Sequence, residues 1–90
     1  MQRKTSKSLY LRQVLGSTIR ALREKKDVTA NKLANEYEIG SGNLSRIENA
    51  ITDCKFVTLW RISAALGMNF SELASCIEDN LDEKFKLMDE

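Results

Sequence analysis

The sequence predicts an all-α fold: a compact five-helix domain, preceded by a basic arm and ending in an acidic helix. Three observations predict it. Ninety residues hold no proline and only four glycines, so the main helix breakers are scarce. Apolar residues recur at spacings of three and four, which gathers them on single helix faces. The stretch 28–50, VTANKLANEYEIGSGNLSRIENA, carries two short patterns of this kind, too close together for anything but a tight corner. The length suits one small domain. With 42% hydrophobic and 30% charged residues, the chain is globular rather than disordered.

Residues 1–8, MQRKTSKS, are polar and basic and read as a flexible arm. The domain proper is expected over 9–80. Its first helix should run from about Leu9 to Lys25, with Leu11, Val14, Leu15, Ile19 and Leu22 as its apolar stripe. Gly16 interrupts that pattern, so residues 9–14 could form a separate extension. Asp27 and Val28 make a corner. Thr29 can cap the next helix, and its hydroxyl with the free amides behind it forms a natural phosphate site. The second helix, about 30–37, packs through Leu33, Ala34 and Tyr37, and Ile39 plugs the corner that follows. The third helix, about 41–49, turns Leu44 and Ile47 inward. It presents Ser41, Gly42, Asn43, Ser45 and Arg46 outward, small polar groups with one arginine, which suits the reading of polar edges rather than packing.

A helix-turn-helix is the simplest object that explains these two helices, with the second of the pair lying in a DNA major groove. Arginine can bridge guanine O6 and N7, and asparagine adenine N6 and N7, so Arg46 and Asn43, with Ser41, are the candidate base readers. A fourth helix, about 56–66, carries Leu59, Ile62, Ser63 and Leu66 on one stripe with Trp60 beside it, and stops at Gly67. Asn69 and Glu72 have the spacing of a capping box for a fifth helix bearing Leu73, Cys76 and Ile77. The pattern can continue through Leu81, Phe85 and Met88, so 81–90 is expected as a helical extension or tail, suited to dimerisation or to packing back on the first helix.

The run from Leu15 to Leu73 resembles the phage-repressor/Cro-type helix-turn-helix family, often called the XRE family. The resemblance rests on Ile19-Arg20-Ala21-Leu22-Arg23, Val28-Thr29, Leu33-Ala34, Ile39, Leu44-Ser45-Arg46-Ile47-Glu48-Asn49, Leu59, Ile62, Ala65-Leu66-Gly67-Met68 and Ser71-Glu72-Leu73, in order. It implies a sequence-specific DNA-binding transcription regulator, a repressor, reading double-stranded DNA as a homodimer. It adds Gly42 to the base-reading positions. It implies phosphate contacts from Arg20, Thr29, Ala30, Asn31, Lys32, Ser45, Asn49, Thr52 and Lys55. It also implies a structural salt bridge between Arg23 and Glu48. The chain departs from the family pattern at several points. Ala30 stands where glutamine is common, Glu38 where the turn often has glycine, and Gly42 where a reading side chain is usual. Ala50 replaces a glycine at the helix end, and Asp53 and Cys54 replace basic residues and proline.

Net charge is only +1, but its distribution is uneven. Residues 1–26 hold eight basic residues, Arg3, Lys4 and Lys7 among them, against Glu24 alone, while 27–90 hold six basic and twelve acidic residues. Such asymmetry marks polyanion contact at one end. The departures and the near-neutral total define the alternative, a protein-interaction module on the same fold (antitoxin-like or repressor-antagonist) with a protein partner and weak DNA binding. No enzyme is expected, since the chain lacks histidine, a nucleophile elbow and a phosphate loop. Cys54 and Cys76 have no CxxC spacing and read as free thiols, so neither a metal nor a cofactor is expected. No run approaches the ~18 apolar residues of a membrane span, and no apolar core follows the basic N-terminus as in a signal peptide, so a cytoplasmic protein of bacterial or phage origin is expected.

Overall fold

The computed structural model describes residues 2–86, without the side chains of 2–6 and of Ser41. The side chains of Arg3, Lys4 and Ser41, and the tail from 87 on with Met88, therefore lie outside the described residues. Five helices follow one another: α1 (Gln2–Lys25), α2 (Ala30–Glu36), α3 (Ser41–Glu48), α4 (Phe56–Ala65) and α5 (Phe70–Asp79). The described residues contain no strand.

The first correction concerns the N-terminus. Residues 2–8, expected as a flexible arm, are the first two turns of α1. Gln, Arg and Lys are good helix formers, and nothing between Gln2 and Gly16 breaks the pattern. Gly16 does not divide the helix either. It is buried, and it is the point where α1 meets the end of α3. A Cβ built there would lie 2.5 Å from the Glu48 carbonyl oxygen and 2.6 Å from that of Ile47. Only a residue without a side chain permits this approach.

One apolar side chain from each of several elements meets at the centre. Ile19 of α1, Leu44 of α3, Ile62 of α4 and Leu73 of α5 are fully buried, with Leu33, Ala34, Ile39, Ile47 and Leu66 around them. Each such aliphatic side chain removed from water contributes roughly 1.5–3 kcal/mol. Tyr37 does not join them. α2 ends at Glu36, Tyr37 is its C-cap at φ −120°, and its ring is 40% exposed. The packing face of α2 is therefore Leu33 and Ala34, with Ala30 partly buried against the core.

The four corners between helices share one geometry. After α1, α2, α3 and α4 a residue takes positive φ: Asp27 (59°), Glu38 (57°), Ala50 (62°) and Gly67 (72°). In each case the next amide reaches back five residues to a carbonyl: Val28 to Arg23, Ile39 to Ala34, Ile51 to Arg46 and Met68 to Ser63. This is the Schellman arrangement, in which an apolar residue follows the left-handed one. Only Gly67 takes that conformation without a steric cost. α5 begins with the expected capping box, Glu72 Oε1 accepting from the Asn69 amide at 2.8 Å.

α5 stops at Asp79, so the helical pattern expected through Leu81 and Phe85 is not continued. Asn80 caps it, and its side-chain amide donates to Thr18 Oγ1 at 2.9 Å. Asn80 and Asp82 favour turns over helix, and both find partners on α1. The Asp82 amide donates to the Tyr10 hydroxyl at 3.0 Å, and the Phe85 ring packs against that of Tyr10 at 5.3 Å. The tail thus packs back on the first helix.

Two substitutions separate these backbone constraints. Glu38→Gly relieves a left-handed glutamate and is expected to stabilise by about 0.5–1 kcal/mol, a melting-temperature rise of roughly 2–8 °C. Gly16→Ala forces α1 from α3 and is expected to cost about 3 kcal/mol. Thermal denaturation followed by circular dichroism reads both.

Candidate nucleic-acid interface

The corner between α2 and α3 holds the third helix outward. Leu44 and Ile47 fix its inner face in the core, so Gly42, Ser45 and Arg46 are exposed on the outer one. Gly40 caps α3 from positive φ without a side-chain hydrogen bond. Asn43 is half-buried, and its amide donates to the Ile39 carbonyl at 3.2 Å, tying the helix to the corner. That bond uses one of its two amide hydrogens and leaves the carbonyl oxygen open. The Arg46 side chain makes no hydrogen bond or ion pair among the described residues. Its guanidinium lies over Gly42, where a Cβ would be 3.2 Å from Nη1. The absent side chain at 42 leaves room for the arginine on the same face.

The end of α3 is clamped to α1 by charge. Glu48 is buried, with 3% of its side chain exposed. Its Oε2 accepts from Arg23 Nε at 2.7 Å and its Oε1 from Arg23 Nη2 at 2.9 Å, a two-pronged pairing. Arg23 Nη1 donates to the Val28 carbonyl at 2.8 Å, so the same guanidinium also holds the corner after α1. The hydrogen bond it donates to Glu48 raises the Arg23 pKa above its ordinary value, against the desolvation that would lower it. Arg20 adds a third contact, Nε to Glu48 Oε1 at 3.3 Å, and reaches Asn49 Oδ1 at 2.8 Å. Asn49 in turn donates to the Ser45 carbonyl at 2.9 Å. Arg20 and Asn49 are therefore engaged within the chain, which sequence reasoning did not anticipate.

The remaining candidates flank this helix. Thr29 is the N-cap of α2, its Oγ1 accepting from the Lys32 amide at 3.2 Å. Asn31 and Lys32 are exposed, whereas Ala30 is half-buried and packs on the core, so its side chain does not face outward. Thr52 is half-buried with its hydroxyl on the Asp53 carbonyl at 3.4 Å, and Lys55 is exposed at the start of α4.

Asp53 does not stand as an isolated negative charge. Arg12 of α1 lies 3.6 Å from its carboxylate and donates to the Ala50 carbonyl at 3.4 Å. No sequence signal links Arg12 to residues 38 and 41 positions away. Cys54 is a free thiol packed on the core, and burial, with the neighbouring Asp53 charge, pushes its pKa up to about 11. It is thus overwhelmingly protonated at neutral pH. Among the described residues no group of three or more acidic, histidine or cysteine side chains could hold a metal ion, and no helix is long and apolar enough to cross a membrane.

Residues 18–79 match the Cro/C1-type helix-turn-helix DNA-binding domain. The chain belongs to this family, and its class is that of DNA-binding transcriptional regulators. It is 30% identical over 73 residues to the cryptic phage CTXphi transcriptional repressor RstR of Vibrio cholerae, covering 81% of this chain and 66% of that protein. It is 38% identical over 64 residues to the control protein C.MunI of a Mycoplasma species, covering 70% of this chain and 86% of the relative. Its fold is similar to the crystal structure of the clp gene regulator ClgR from C. glutamicum, with a TM-score of 0.72 at 26% identity over 80% of this chain and 94% of that one.

Glu48→Ala strands a largely buried guanidinium and is expected to destabilise the fold by about 3–5 kcal/mol. Arg20→Ala removes the more exposed partner, 42% exposed in its side chain, and is expected to cost no more than about 1 kcal/mol. Urea denaturation at neutral pH distinguishes the two.

Proposed function

We propose that the chain binds operator DNA as a homodimer and represses transcription, laying α3 in the major groove. The observation that carries this is the outer face of α3. A fixed helix presents Arg46, uncommitted within the described residues, beside the open space of Gly42. Arg46 reads a base edge, Asn43 offers its remaining amide hydrogen and carbonyl oxygen, and Ser41 and Gly42 complete the reading end. Thr29, Asn31, Lys32, Thr52 and Lys55 on the flanking segments, with Ser45 on α3, serve as backbone contacts, and Ala30 contributes its main-chain amide. Arg20 and Asn49 supply phosphate contacts from donors left over after the Glu48 clamp. Arg20 keeps Nη1, and Asn49 has one amide hydrogen held only by a long contact, 3.5 Å to the Ser45 hydroxyl oxygen.

One reading helix covers too few base pairs to single out a site in a genome. Twofold pairing presents two such helices to half-sites about 34 Å apart and meets that need. The alternative, a module devoted to a protein partner, draws on the near-neutral charge and on Glu38 and Gly42. The Arg12–Asp53 pair weakens one of its supports, since the Asp53 charge is partly offset.

Selection of random-sequence DNA by the pure protein at two salt concentrations tests the proposal. A palindromic motif is expected, with affinity falling steeply as salt rises. Arg46→Ala is expected to lose about 1–3 kcal/mol of discrimination at one position of each half-site while folding normally. Weak, sequence-independent binding by the wild type would overturn the operator reading and favour the protein partner.

A further inference from the structure

One edge of α1 lies along the end of α3. Arg12, Gly16, Arg20 and Arg23 recur at spacings of four, four and three, so they share that edge. Arg20 and Arg23 meet Glu48, and Gly16 meets the Ile47 and Glu48 carbonyls. Arg12, one turn earlier, meets the loop that follows α3. Its Nε donates to the Ala50 carbonyl at 3.4 Å, and its Nη1 lies 3.6 Å from Asp53 Oδ1. Arg12 precedes residue 18, where the family match begins, so the helix-turn-helix domain itself does not supply it.

We propose that Arg12 is a DNA-phosphate contact beyond the helix-turn-helix, and that Asp53 occupies the place of that phosphate until DNA binds. The inference rests on the reading that α3 enters a DNA groove, and needs neither the homodimer nor a particular operator. Three observations carry it. The guanidinium is held in position, since its side chain is only 27% exposed and the bond to Ala50 anchors Nε. Its outer donors are left over, because neither Nη makes a hydrogen bond among the described residues and 3.6 Å to Asp53 is beyond hydrogen-bond reach. Asp53 is loosely held, with its side chain 85% exposed, so it turns to water at little cost. A phosphate offers two oxygens to the guanidinium fork and also releases counterions from the duplex, which a carboxylate does not. The location suits a backbone strand. Thr52 and Lys55 belong to the same loop, and Arg20 lies on the same edge of α1, about 12 Å further along the helix axis. A sugar-phosphate strand passing the end of α3 meets both arginines. Asp53 then acts against all DNA alike, because phosphate contacts carry no sequence information.

Fluorescence anisotropy of a labelled mixed-sequence duplex, about two helical turns long, titrated with the full chain at several salt concentrations, tests the inference. Each phosphate contact contributes about 0.9 to the slope of log affinity against log salt. Arg12→Gln is expected to lower that slope by this amount, so a fourfold rise in salt costs it about 3.5-fold less affinity than it costs the wild type. Arg12→Lys keeps the charge and is expected to restore the slope. Asp53→Asn is expected to bind about 2- to 5-fold tighter, with the slope not reduced. Urea denaturation beside each titration establishes that the variants are folded, and the exposure of Asp53 makes its variant safe in that respect. A wild-type slope retained by folded Arg12→Gln would overturn the inference, even where Asp53→Asn tightens binding, since plain repulsion by the acid accounts for that. An Asp53→Asn variant that binds no tighter would overturn the role given to Asp53. A wild type that binds no duplex at the lowest salt rejects the DNA reading itself, and is thereby distinguished from failure of this contact alone.

Discussion

The buried carboxylate of Glu48 is the interaction on which the rest of the molecule depends. A charge so far from water is tolerable only with partners, and both of its oxygens are met by Arg23, one of them also by Arg20. The geometry joins three things at once. It ties the last turn of α3 to α1, and through the third donor of Arg23 it holds the Val28 carbonyl and so the corner leading to α2. The close approach at Gly16 belongs to the same joint, since the carbonyls of Ile47 and Glu48 lie against it. The direction in which α3 presents its outer face is therefore set by a charge pair and a missing side chain, with the core supplying most of the free energy.

The helices and the core were legible because their signal is periodic and local. Leu33, Ala34, Leu44, Ile47, Ile62 and Leu66 occupy inward positions that spacing alone assigns, and the capping box of α5 lies within four residues. The corners were only partly legible. Gly67 announces a left-handed residue, but Asp27, Glu38 and Ala50 adopt the same conformation without the glycine that signals it, held there by Val28, Ile39, Ile51 and the hydrogen bonds they complete. The N-terminal turns of α1 were hidden because a short polar, basic stretch reads equally as arm or helix.

At the interface, residue types suggested which side chains could meet DNA, but not which were already spent. Arg20, Asn43 and Asn49 all carry suitable donors. Their partners Glu48, Ile39 and Ser45 decide what remains, and those pairings arise from packing across 28 residues or within one turn. Arg12 with Asp53 and Thr18 with Asn80 were not legible at all, because two single polar residues far apart in sequence carry no mutual mark. Charge along the chain misled in one respect. The acidic segment after α5 folds back on the same helix that bears the basic residues, so the two halves are not separated in space as they are in sequence.

The non-glycine corners have a consequence for how long the protein persists. Each left-handed Asp, Glu or Ala takes something from the folding free energy of a ninety-residue domain. The fraction unfolded at any moment is larger than glycine corners would give, and unfolded chains are what proteases consume. A faster-cleared chain has an abundance that follows its own synthesis more closely, so a change in transcription is felt sooner at its binding sites. The backbone strain at three turns thereby shortens the memory of any circuit in which the protein acts.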